Sequence, residues 1–177
     1  MKAAVLNSPQ TPLSIEELTL DKPGPTEAII RVIAAGVCHS DLHFIEGTYP
    51  TKHPAVLGHE VAGVVSEVGS AVTNVSPGDR VIIGFVQPCG HRADCDSGRP
   101  NLCSQGAPRR ESPGLMRDGE AVTQMANVGG FAEYVITYAS GLVKVADDIS
   151  LEIAALVGCS VMTGYGAVVN TAGVTPG

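Results

Sequence analysis

Short apolar runs separated by turn residues dominate residues 1–90. The runs at residues 28–35, 61–69 and 80–85 are rich in Val, Ile and Ala, and Ser76-Pro77-Gly78-Asp79 is a turn sequence directly before the third. Runs of this length with many β-branched residues are typical of strands. Glycines within the second run are typical of bends or of close approach between strands, as at the corners of a barrel.

A few helices are also predicted. Ser40 is a favourable N-cap and Gly47 a favourable end for one short helix, and Ser150 is a favourable N-cap for a later one. Residues 86–129 are rich in Gly, Pro, Cys, Arg and Asp and show little periodicity, which predicts one or two long loops. The other expected elements are helices over residues 40–46, 151–157 and 162–171 and a strand over residues 130–137. The expected fold class is mainly β, with short helices.

Composition indicates a globular protein and excludes several classes of function. Hydrophobic residues make up 44% of the 177 residues and charged residues 16%, which suits a sizeable core. The net charge is −7 and the basic residues form no dense cluster, so no nucleic-acid-binding surface is expected. No apolar run reaches the length of about 18 residues that a membrane span needs, and the apolar start of the chain is too short for a signal peptide. We therefore expect a cytoplasmic location.

The cysteines introduce candidate metal chemistry. There are five, an odd number, and in a reducing compartment such residues are metal ligands or core residues rather than disulfides. Cys38, His59 and Cys159 offer two thiols and an imidazole, and a catalytic zinc site uses three such ligands and leaves a fourth position open. By residue type alone another interpretation stays open, because a cysteine beside a glycine is commonly a small core residue.

The spacing of these residues resembles that of the zinc-dependent medium-chain alcohol dehydrogenases. Cys38 precedes His59 by 21 residues, and the segment from Gly158 to Ala167 is similar to the family's third ligand segment. The zinc signature of the family is matched at each of its fixed positions, Gly58-His59-Glu60, Gly63, Gly69 and Val72. The resemblance extends from Met1 to Gly177 and implies a GroES-like, partly open β-barrel.

The resemblance assigns roles at the metal. Cys38, His59 and Cys159 would bind the catalytic zinc, and Glu60 would be an alternating ligand. Adjacent residues of a regular strand point to opposite faces, so Glu60 reaches the metal only if the backbone is irregular where the strand begins. Asp41 would orient His59 through its carboxylate; the alternative is a residue on the helix surface.

Other residues would serve proton transfer and the cofactor. By the same resemblance, Ser40 would accept the alcohol proton and His43 would pass it to solvent, although His43 would also suit an exposed helix position. His39 would lie near the cofactor pyrophosphate, where many relatives carry arginine and where an imidazole is a weaker, pH-sensitive partner. Thr163 would touch the nicotinamide of NAD or NADP.

The substrate pocket would include two aromatic residues. Phe85 and Tyr49 fall where the family lines this pocket, which favours an aromatic or medium-sized alcohol or aldehyde as the small-molecule partner. Phe85 would equally suit the core. The family resemblance also implies a homodimer or a homotetramer for the full-length enzyme.

The loop that starts at Cys89 departs from the family pattern. Relatives with a structural zinc carry cysteines at relative positions 0, 3, 6 and 14. Here Arg92 stands at the second position, and the other three hold Cys89, Cys95 and Cys103. Arginine has no lone pair to give and its charge repels a cation, so His91 or Asp94 would have to substitute after a backbone shift. We expect one zinc, and a second stays an open question at this point.

These patterns lead to a domain assignment and a function. Residues 1–155 are expected to form a zinc-binding catalytic domain, and residues 156–177 the start of a connection to a dinucleotide-binding domain. The sequence contains no Gly-x-Gly-x-x-Gly, so the Rossmann domain is expected to be absent from this chain and the chain to be inactive alone. The implied reaction is oxidation of an alcohol to an aldehyde or ketone by hydride transfer to NAD(P)⁺. A zinc-free quinone reductase and a non-catalytic, metal-binding GroES-like fragment are the alternatives.

Overall fold

A computed structural model describes residues 1–103 and 114–176. Residues 104–113 belong to the region predicted as loops and lie outside the described residues. The strands in the described part of the chain are β1 (Lys2–Leu6), β2 (Ser14–Glu17), β3 (Thr19–Leu20), β4 (Glu27–Gly36), β5 (Ala55–Val56), β6 (Glu60–Val68), β7 (Arg80–Ile83), β8 (Leu115–Arg117), β9 (Glu120–Ala121), β10 (Thr123–Gln124), β11 (Tyr134–Tyr138) and β12 (Leu142–Lys144). The α-helices there are α1 (His39–Glu46), α2 (Ala93–Asp96), α3 (Leu151–Ala155) and α4 (Ser160–Gly166). The mainly β expectation is confirmed.

The largest sheet has the strand order β11-β4-β6-β7-β12, and all its pairings are antiparallel. Its long central strands β4 and β6 pair closely at Gly63, where a Cβ would overlap the carbonyl oxygen of Arg31. Glycine is therefore required there for the strands to pair. β4 ends at Gly36, directly opposite Glu60 at the start of β6. This register brings two of the predicted ligand segments together.

Two smaller sheets complete the β-structure. One has the order β10-β5-β1-β2 and the other β3-β8-β9. A single-residue bridge between Ala3 and Ala132 runs from β1 to the segment before β11. Within the described residues the three sheets do not merge into a closed ring, so the barrel is partly open, as expected.

The largest cluster of buried core residues involves β4, β6, β7 and β11 of the largest sheet. The cluster includes Ala28, Ile30, Val61, Val65, Val81, Ile83 and Val135. Buried and more exposed residues alternate in β7, as the two-residue period of a strand predicts, whereas β6 and β11 each contain four consecutive buried residues. Each fully buried Val or Ile contributes about 1.5–3 kcal/mol relative to an exposed position.

The helix α1 begins earlier than predicted. Cys38, not Ser40, is its N-cap, because the Asp41 side chain accepts a hydrogen bond from the Cys38 amide and forms a capping box. The predicted end is confirmed, since Gly47 has a left-handed φ of 80°. The prediction of the first helical residue was therefore wrong by one position.

The prediction of loops alone over residues 86–129 is wrong. The described part of this region contains α2 and the strands β8, β9 and β10, which pair with β3 and β5 or with each other. These strands have two or three residues each, too few for a periodic pattern to be visible in the sequence. The strand predicted over residues 130–137 begins later, at Tyr134, because Gly130 and Phe131 donate hydrogen bonds to the loop before β6 instead.

The C-terminal segment forms shorter helices than predicted. The Ser150 hydroxyl accepts a hydrogen bond from the Ile153 amide at 3.3 Å, which confirms the predicted cap of α3. A 3-10 turn, Leu156–Gly158, separates α3 from α4, and a π-helical turn follows at Ala167–Thr171. In the described part of the chain no single helix has the length and apolar character of a membrane span. The helical segments Leu151–Gly158 and Ser160–Thr171, bent by 52° relative to each other, together reach the required length and apolar composition, and nothing else indicates a span.

α3 packs against β4 and β6, whereas the helical turns after it expose apolar side chains. Leu151, Ala154 and Ala155 are buried against Ala62. The large exposed hydrophobic side chains on or beside the later turns are Ile153, Leu156, Val161, Met162, Tyr165, Val168 and Val169. A group of exposed apolar side chains close together in the sequence is typical of a face that another protein element covers.

Candidate metal centre

Four side chains with metal-binding atoms meet where β4 ends and β6 begins. One donor atom from each of Cys38, His59, Glu60 and Cys159 lies within 4.8 Å of the other three. His59 and Glu60 are 1% and 2% exposed, whereas both cysteines are partly exposed. The cluster thus has a buried side formed by His59 and Glu60 and an accessible side formed by the two thiols.

An irregular backbone lets adjacent residues serve one cluster. Gly58 has a φ of 89°, in the left-handed region, and β6 starts only at Glu60. His59 therefore precedes the regular strand, and its side chain need not point away from that of Glu60. The backbone is therefore irregular where β6 begins, which is the condition stated above for Glu60 to reach the same cluster as His59.

Cys159 reaches the cluster from the other end of the sequence. The 3-10 turn Leu156–Gly158 packs against β6 and β7, and a Cβ on Gly158 would lie 2.8 Å from the carbonyl oxygen of Ile83. Such a contact is too short for an alanine, so glycine lets the turn sit close against β7. Cys159 follows directly, as the N-cap of α4.

Asp41 joins two ligand segments. Its carboxylate accepts hydrogen bonds from the amide of Cys38 at 2.9 Å and from the amide of Gly58 at 3.0 Å. His59 Nδ1 faces the same carboxylate at 3.7 Å and has no hydrogen-bond partner within the described residues. Asp41 is 1% exposed, so the alternative of a surface position is wrong.

The donor set fits a zinc ion. Zinc takes thiolate, imidazole and carboxylate ligands, and at its usual bond lengths of about 2.0–2.3 Å the donors of a tetrahedral site lie about 3.3–3.8 Å apart. A spread of at most 4.8 Å lets the four donors approach one ion with small side-chain rotations. Because His59 Nδ1 faces Asp41, the opposite ring nitrogen is left for a metal.

The neighbouring groups shift one another's ionisation. Burial opposes ionisation of Cys38, but hydrogen bonds with Ser40 and the nearby His59 outweigh it and lower the pKa of the thiol. The Asp41 carboxylate raises the pKa of His59 against the opposing effect of burial. For Cys159, burial and then the charge of Cys38 raise the pKa to about 11. A cation is what allows two such adjacent thiols to be ionised together.

α1 carries the residues predicted for proton transfer. The Cys38 sulfur lies 3.7 Å from the hydroxyl of Ser40. His43 is one helical turn further on, which places it on the same face. Its ring contacts those of His39 and Tyr49, with centroids 4.6 and 4.8 Å apart, and its Nδ1 is buried without a hydrogen-bond partner within the described residues. His43 is therefore partly enclosed.

The remaining predicted site residues lie at the edges of the cluster. The ring of Phe85 packs edge-on against His59, with centroids 5.3 Å apart, and is half exposed, so its alternative as a core residue is wrong. Tyr49 contacts His43 and Phe44 rather than the four donors. Thr163 is exposed and hydrogen-bonds to Cys159, its amide donating to the Cys159 carbonyl at 2.8 Å.

A second cluster of sulfur atoms lies in the α2 region. The Cys89 sulfur is 3.6 Å from that of Cys103 and 3.9 Å from that of Cys95, so the three predicted cysteines do come together. Among the described residues neither His91 nor Asp94 joins this group. His91 Nδ1 instead lies 2.7 Å from the Cys89 carbonyl oxygen.

The glycines beside the ligands were not recognised from the sequence as part of the site. Gly36 and Gly158 each stand where a side chain would overlap a neighbouring segment of the site. A signal was available, because each lies within two residues of a candidate ligand. Only the structure shows which atoms occupy the space that the missing side chains leave.

Comparison with known proteins gives relatives over nearly the whole chain. Residues 24–147 match the alcohol dehydrogenase GroES-like domain. The chain is 43% identical to the NDMA-dependent alcohol dehydrogenase of Amycolatopsis methanolica over 182 residues, which cover 99% of this chain and 49% of that protein. It is 39% identical to alcohol dehydrogenase B of Mycobacterium tuberculosis over 184 residues, again 99% of this chain and 49% of that protein.

Solved structures give the same result. An alcohol dehydrogenase zinc-binding domain protein from Burkholderia ambifaria superposes with a TM-score of 0.90 at 35% identity, covering 99% of this chain and 50% of that one. For benzyl alcohol dehydrogenase from Acinetobacter calcoaceticus the TM-score is 0.88 at 31% identity, with 99% and 49% covered. The chain thus spans about half the length of the curated relatives it matches. With this fold and these relatives, the chain belongs to the GroES-like domain family of the alcohol dehydrogenases.

Proposed function

We propose that the chain is the zinc-binding catalytic domain of an alcohol dehydrogenase that oxidises an alcohol to an aldehyde or ketone, with NAD(P)⁺ as hydride acceptor. The observation that carries this proposal is the convergence of Cys38, His59, Glu60 and Cys159 within 4.8 Å. A zinc-free quinone reductase would have no need of two thiols, an imidazole and a carboxylate at one point. Relatives named alcohol dehydrogenase support the reaction class.

Cys38, His59 and Cys159 would hold the metal, with Glu60 as the alternating fourth ligand. Bound there, zinc supplies Lewis-acid stabilisation of the alcohol oxygen. Elemental analysis of the 177-residue chain, prepared without chelators, is expected to give one zinc per chain. A zinc-free preparation that also fails to take up added zinc would overturn the proposal and favour the quinone reductase alternative.

The proton path would run along α1. Ser40, 3.7 Å from the Cys38 sulfur, would accept the alcohol proton, and His43 would pass it outward. The Nδ1 of His43 is buried and has no hydrogen-bond partner among the described residues, which supports this role because a relay needs a ring nitrogen that is not already engaged. In a full-length enzyme Ser40→Ala is expected to lower turnover about 10²–10⁴-fold, and added imidazole buffer should not restore it, since the first acceptor is lost.

The cofactor would need a second domain. His39 and Thr163 are both exposed, which suits contacts with a pyrophosphate and a nicotinamide. We assign residues 1–155 to the catalytic domain and residues 156–177 to the start of the connection to the cofactor domain. The exposed apolar side chains of the later helical turns support a domain packed there. The isolated chain is expected to show no calorimetric binding of NADH or NADPH at micromolar concentration and no turnover; clear binding would place the cofactor site within this chain.

The substrate would be an aromatic or medium-sized alcohol. The half-exposed Phe85 ring, packed on His59, offers an apolar surface beside the metal ligands, and Tyr49 would line the outer part of the pocket near His43. One structural relative is a benzyl alcohol dehydrogenase. In the full-length enzyme kcat/KM for benzyl alcohol should exceed that for ethanol, and Phe85→Ala should reduce that preference. An unchanged preference would remove Phe85 from the pocket.

The second sulfur cluster would not hold zinc firmly while Arg92 stands at the second position of the four-cysteine pattern. The sulfurs of Cys103 and Cys95 lie 3.6 and 3.9 Å from that of Cys89, which suits thiolate ligands, but no fourth protein donor joins them among the described residues. Arg92→Cys is therefore expected to raise the zinc content from one to two per chain. Two zinc ions in the unmodified chain would show that the cluster binds zinc despite Arg92.

Location and assembly complete the proposal. We propose a cytoplasmic enzyme, because five cysteines with no disulfide among the described residues suit a reducing compartment. The full-length enzyme would be a homodimer or homotetramer, as family members are. Light scattering after size exclusion distinguishes the two, and a monomer would contradict both.

A further inference from the structure

The Glu60 carboxylate occupies the space that a side chain at position 36 would fill. Gly36 and Glu60 are cross-strand partners at the ends of β4 and β6. A Cβ on Gly36 would lie 3.0 Å from the Glu60 Cβ and 3.2 Å from its Cδ, and would overlap Oε2 outright. The carboxylate of this candidate ligand therefore lies directly over the bare backbone of Gly36.

Space, and not backbone conformation, is what requires glycine at this position. The φ angle of Gly36 lies outside the left-handed region, so an L-residue could adopt the same backbone. The side chain of Glu60 is 2% exposed, so its carboxylate has no solvent-filled space into which it could move freely. The severe overlap is with Oε2, whereas the Glu60 Cβ, at 3.0 Å, is a tight contact that a shift of a few tenths of an ångström relieves.

We propose that Gly36 is a positioning residue for Glu60: its missing side chain forms the recess that holds the carboxylate among the donor atoms of the metal centre. The proposal rests on the zinc site proposed above. It assigns a role in metal binding to a residue that has no donor atom of its own. An alanine at position 36 would push the carboxylate out of the recess and out of reach of the ion.

The consequence is a change in zinc affinity that depends on Glu60. Loss of a carboxylate that supports a metal site typically costs about 10–100-fold in affinity. Gly36→Ala and Glu60→Ala in the 177-residue chain are therefore each expected to weaken zinc binding at least about 10-fold. In the Glu60→Ala background the recess is empty, so adding Gly36→Ala should cause no further loss. Competition with a chromogenic chelator measures all four affinities.

A second glycine provides a matched control. A Cβ on Gly24 would lie 3.1 Å from Oε2 of Glu27, which is also buried, so Gly24→Ala crowds another buried carboxylate, less closely than Gly36→Ala crowds Glu60. Glu27 and Gly36 are at opposite ends of β4, about 30 Å apart at about 3.3 Å per residue. Gly24→Ala should leave zinc affinity unchanged, whatever its effect on the thermal unfolding of the metal-free chain.

The outcomes separate the positioning role from a general structural one. Equal losses of zinc affinity in Gly36→Ala and Glu60→Ala, with no additional loss in the double variant, support the positioning role. If Gly36→Ala alone fails to fold and Glu60→Ala restores folding, the clash between the two is demonstrated and the proposal stands. Unchanged affinity in Gly36→Ala, a further 10-fold loss in the double variant, or a double variant that does not fold overturns it. Absence of zinc from the unmodified chain would instead refute the zinc site itself.

Discussion

Replacing Asp41 with asparagine would disturb a buried carboxylate that hydrogen-bonds to two candidate ligand segments. In the native chain its oxygens accept hydrogen bonds from the amides of Cys38 and Gly58, at 2.9 and 3.0 Å. Asparagine has one acceptor oxygen, so its NH₂ group must face one of these amides, donor against donor. One buried amide left without an acceptor costs about 1–3 kcal/mol.

The remaining hydrogen bond also becomes weaker, because a neutral amide replaces a charged carboxylate. Together the two effects are expected to lower the free energy of unfolding of the metal-free chain by about 2–4 kcal/mol. Zinc affinity should fall by about 10–100-fold, since His59 loses the carboxylate 3.7 Å from its Nδ1. Urea unfolding of the metal-free chain measures the first quantity, and chelator competition the second.

Asp79 supplies a control outside the site. Its carboxylate accepts a hydrogen bond from the Ser76 amide at 2.7 Å and pairs with Lys144 at 2.7 Å, at the turn before β7. Asp79→Asn should therefore reduce stability slightly and leave zinc affinity at the native value. Native zinc affinity in Asp41→Asn would refute the proposed link between this carboxylate and the ligands. An equal loss of affinity in both variants would refute it too, since general destabilisation would then be the cause.

Three further predictions concern stability, geometry and proton transfer. Hydrogen bonds from Ser14 and then Arg117 lower the pKa of Glu16 to about 2, so its stabilising effect is present above pH 4.5 and is lost as the pH falls towards 2. Urea titrations of Glu16→Gln should show a smaller loss of unfolding free energy across that range, by about 0.5–1 kcal/mol for a partly exposed ion pair; an unchanged loss would contradict the assignment. Gly158→Ala would push the turn away from β7, so chelator competition should show weaker zinc binding while the metal-free chain keeps a cooperative thermal transition. In the full-length enzyme His43→Gln should lower kcat most at low pH and imidazole buffer should restore part of it, whereas an unaltered pH profile would remove His43 from the proton path.

The long strands and the helix caps were predictable because each has a local cause. β4 and β6 are apolar, β-branched runs between turn residues, and the structure extends or shifts the predicted limits by a single residue. Ser150 was recognised because a hydroxyl at an N-cap accepts a bond three residues away. The strands of residues 115–124 were missed since partners far away in the sequence, such as β3 and β5, determine them.

The spacing of the motifs predicted the candidate ligands more accurately than the hydrophobic pattern predicted the limits of the strands. Cys38, His59 and Cys159 are far apart in sequence and yet their donor atoms converge, because motif spacing reflects a complete arrangement of strands. The fate of the loop at Cys89 could not be predicted in the same way. Because position 92 holds no ligand, the sequence pattern does not predict where the three sulfur atoms lie. The structure shows that those of Cys103 and Cys95 lie 3.6 and 3.9 Å from that of Cys89.

The candidate ligand segments share a physical requirement that explains why glycines accompany them. Each segment must approach a neighbour more closely than a Cβ permits: Gly36 lies under the Glu60 carboxylate, Gly58 against the ring of Phe131, and Gly158 against the carbonyl of Ile83. Donors from four chain positions can surround one ion only if their backbones come this close, because zinc bonds are only about 2.0–2.3 Å long. If one of these glycines were replaced, the neighbouring ligand would keep its donor atom, but the new side chain would move that atom away from the other donors. The glycines of the pattern thus belong to the candidate metal centre, because they let its donor-bearing segments come close together.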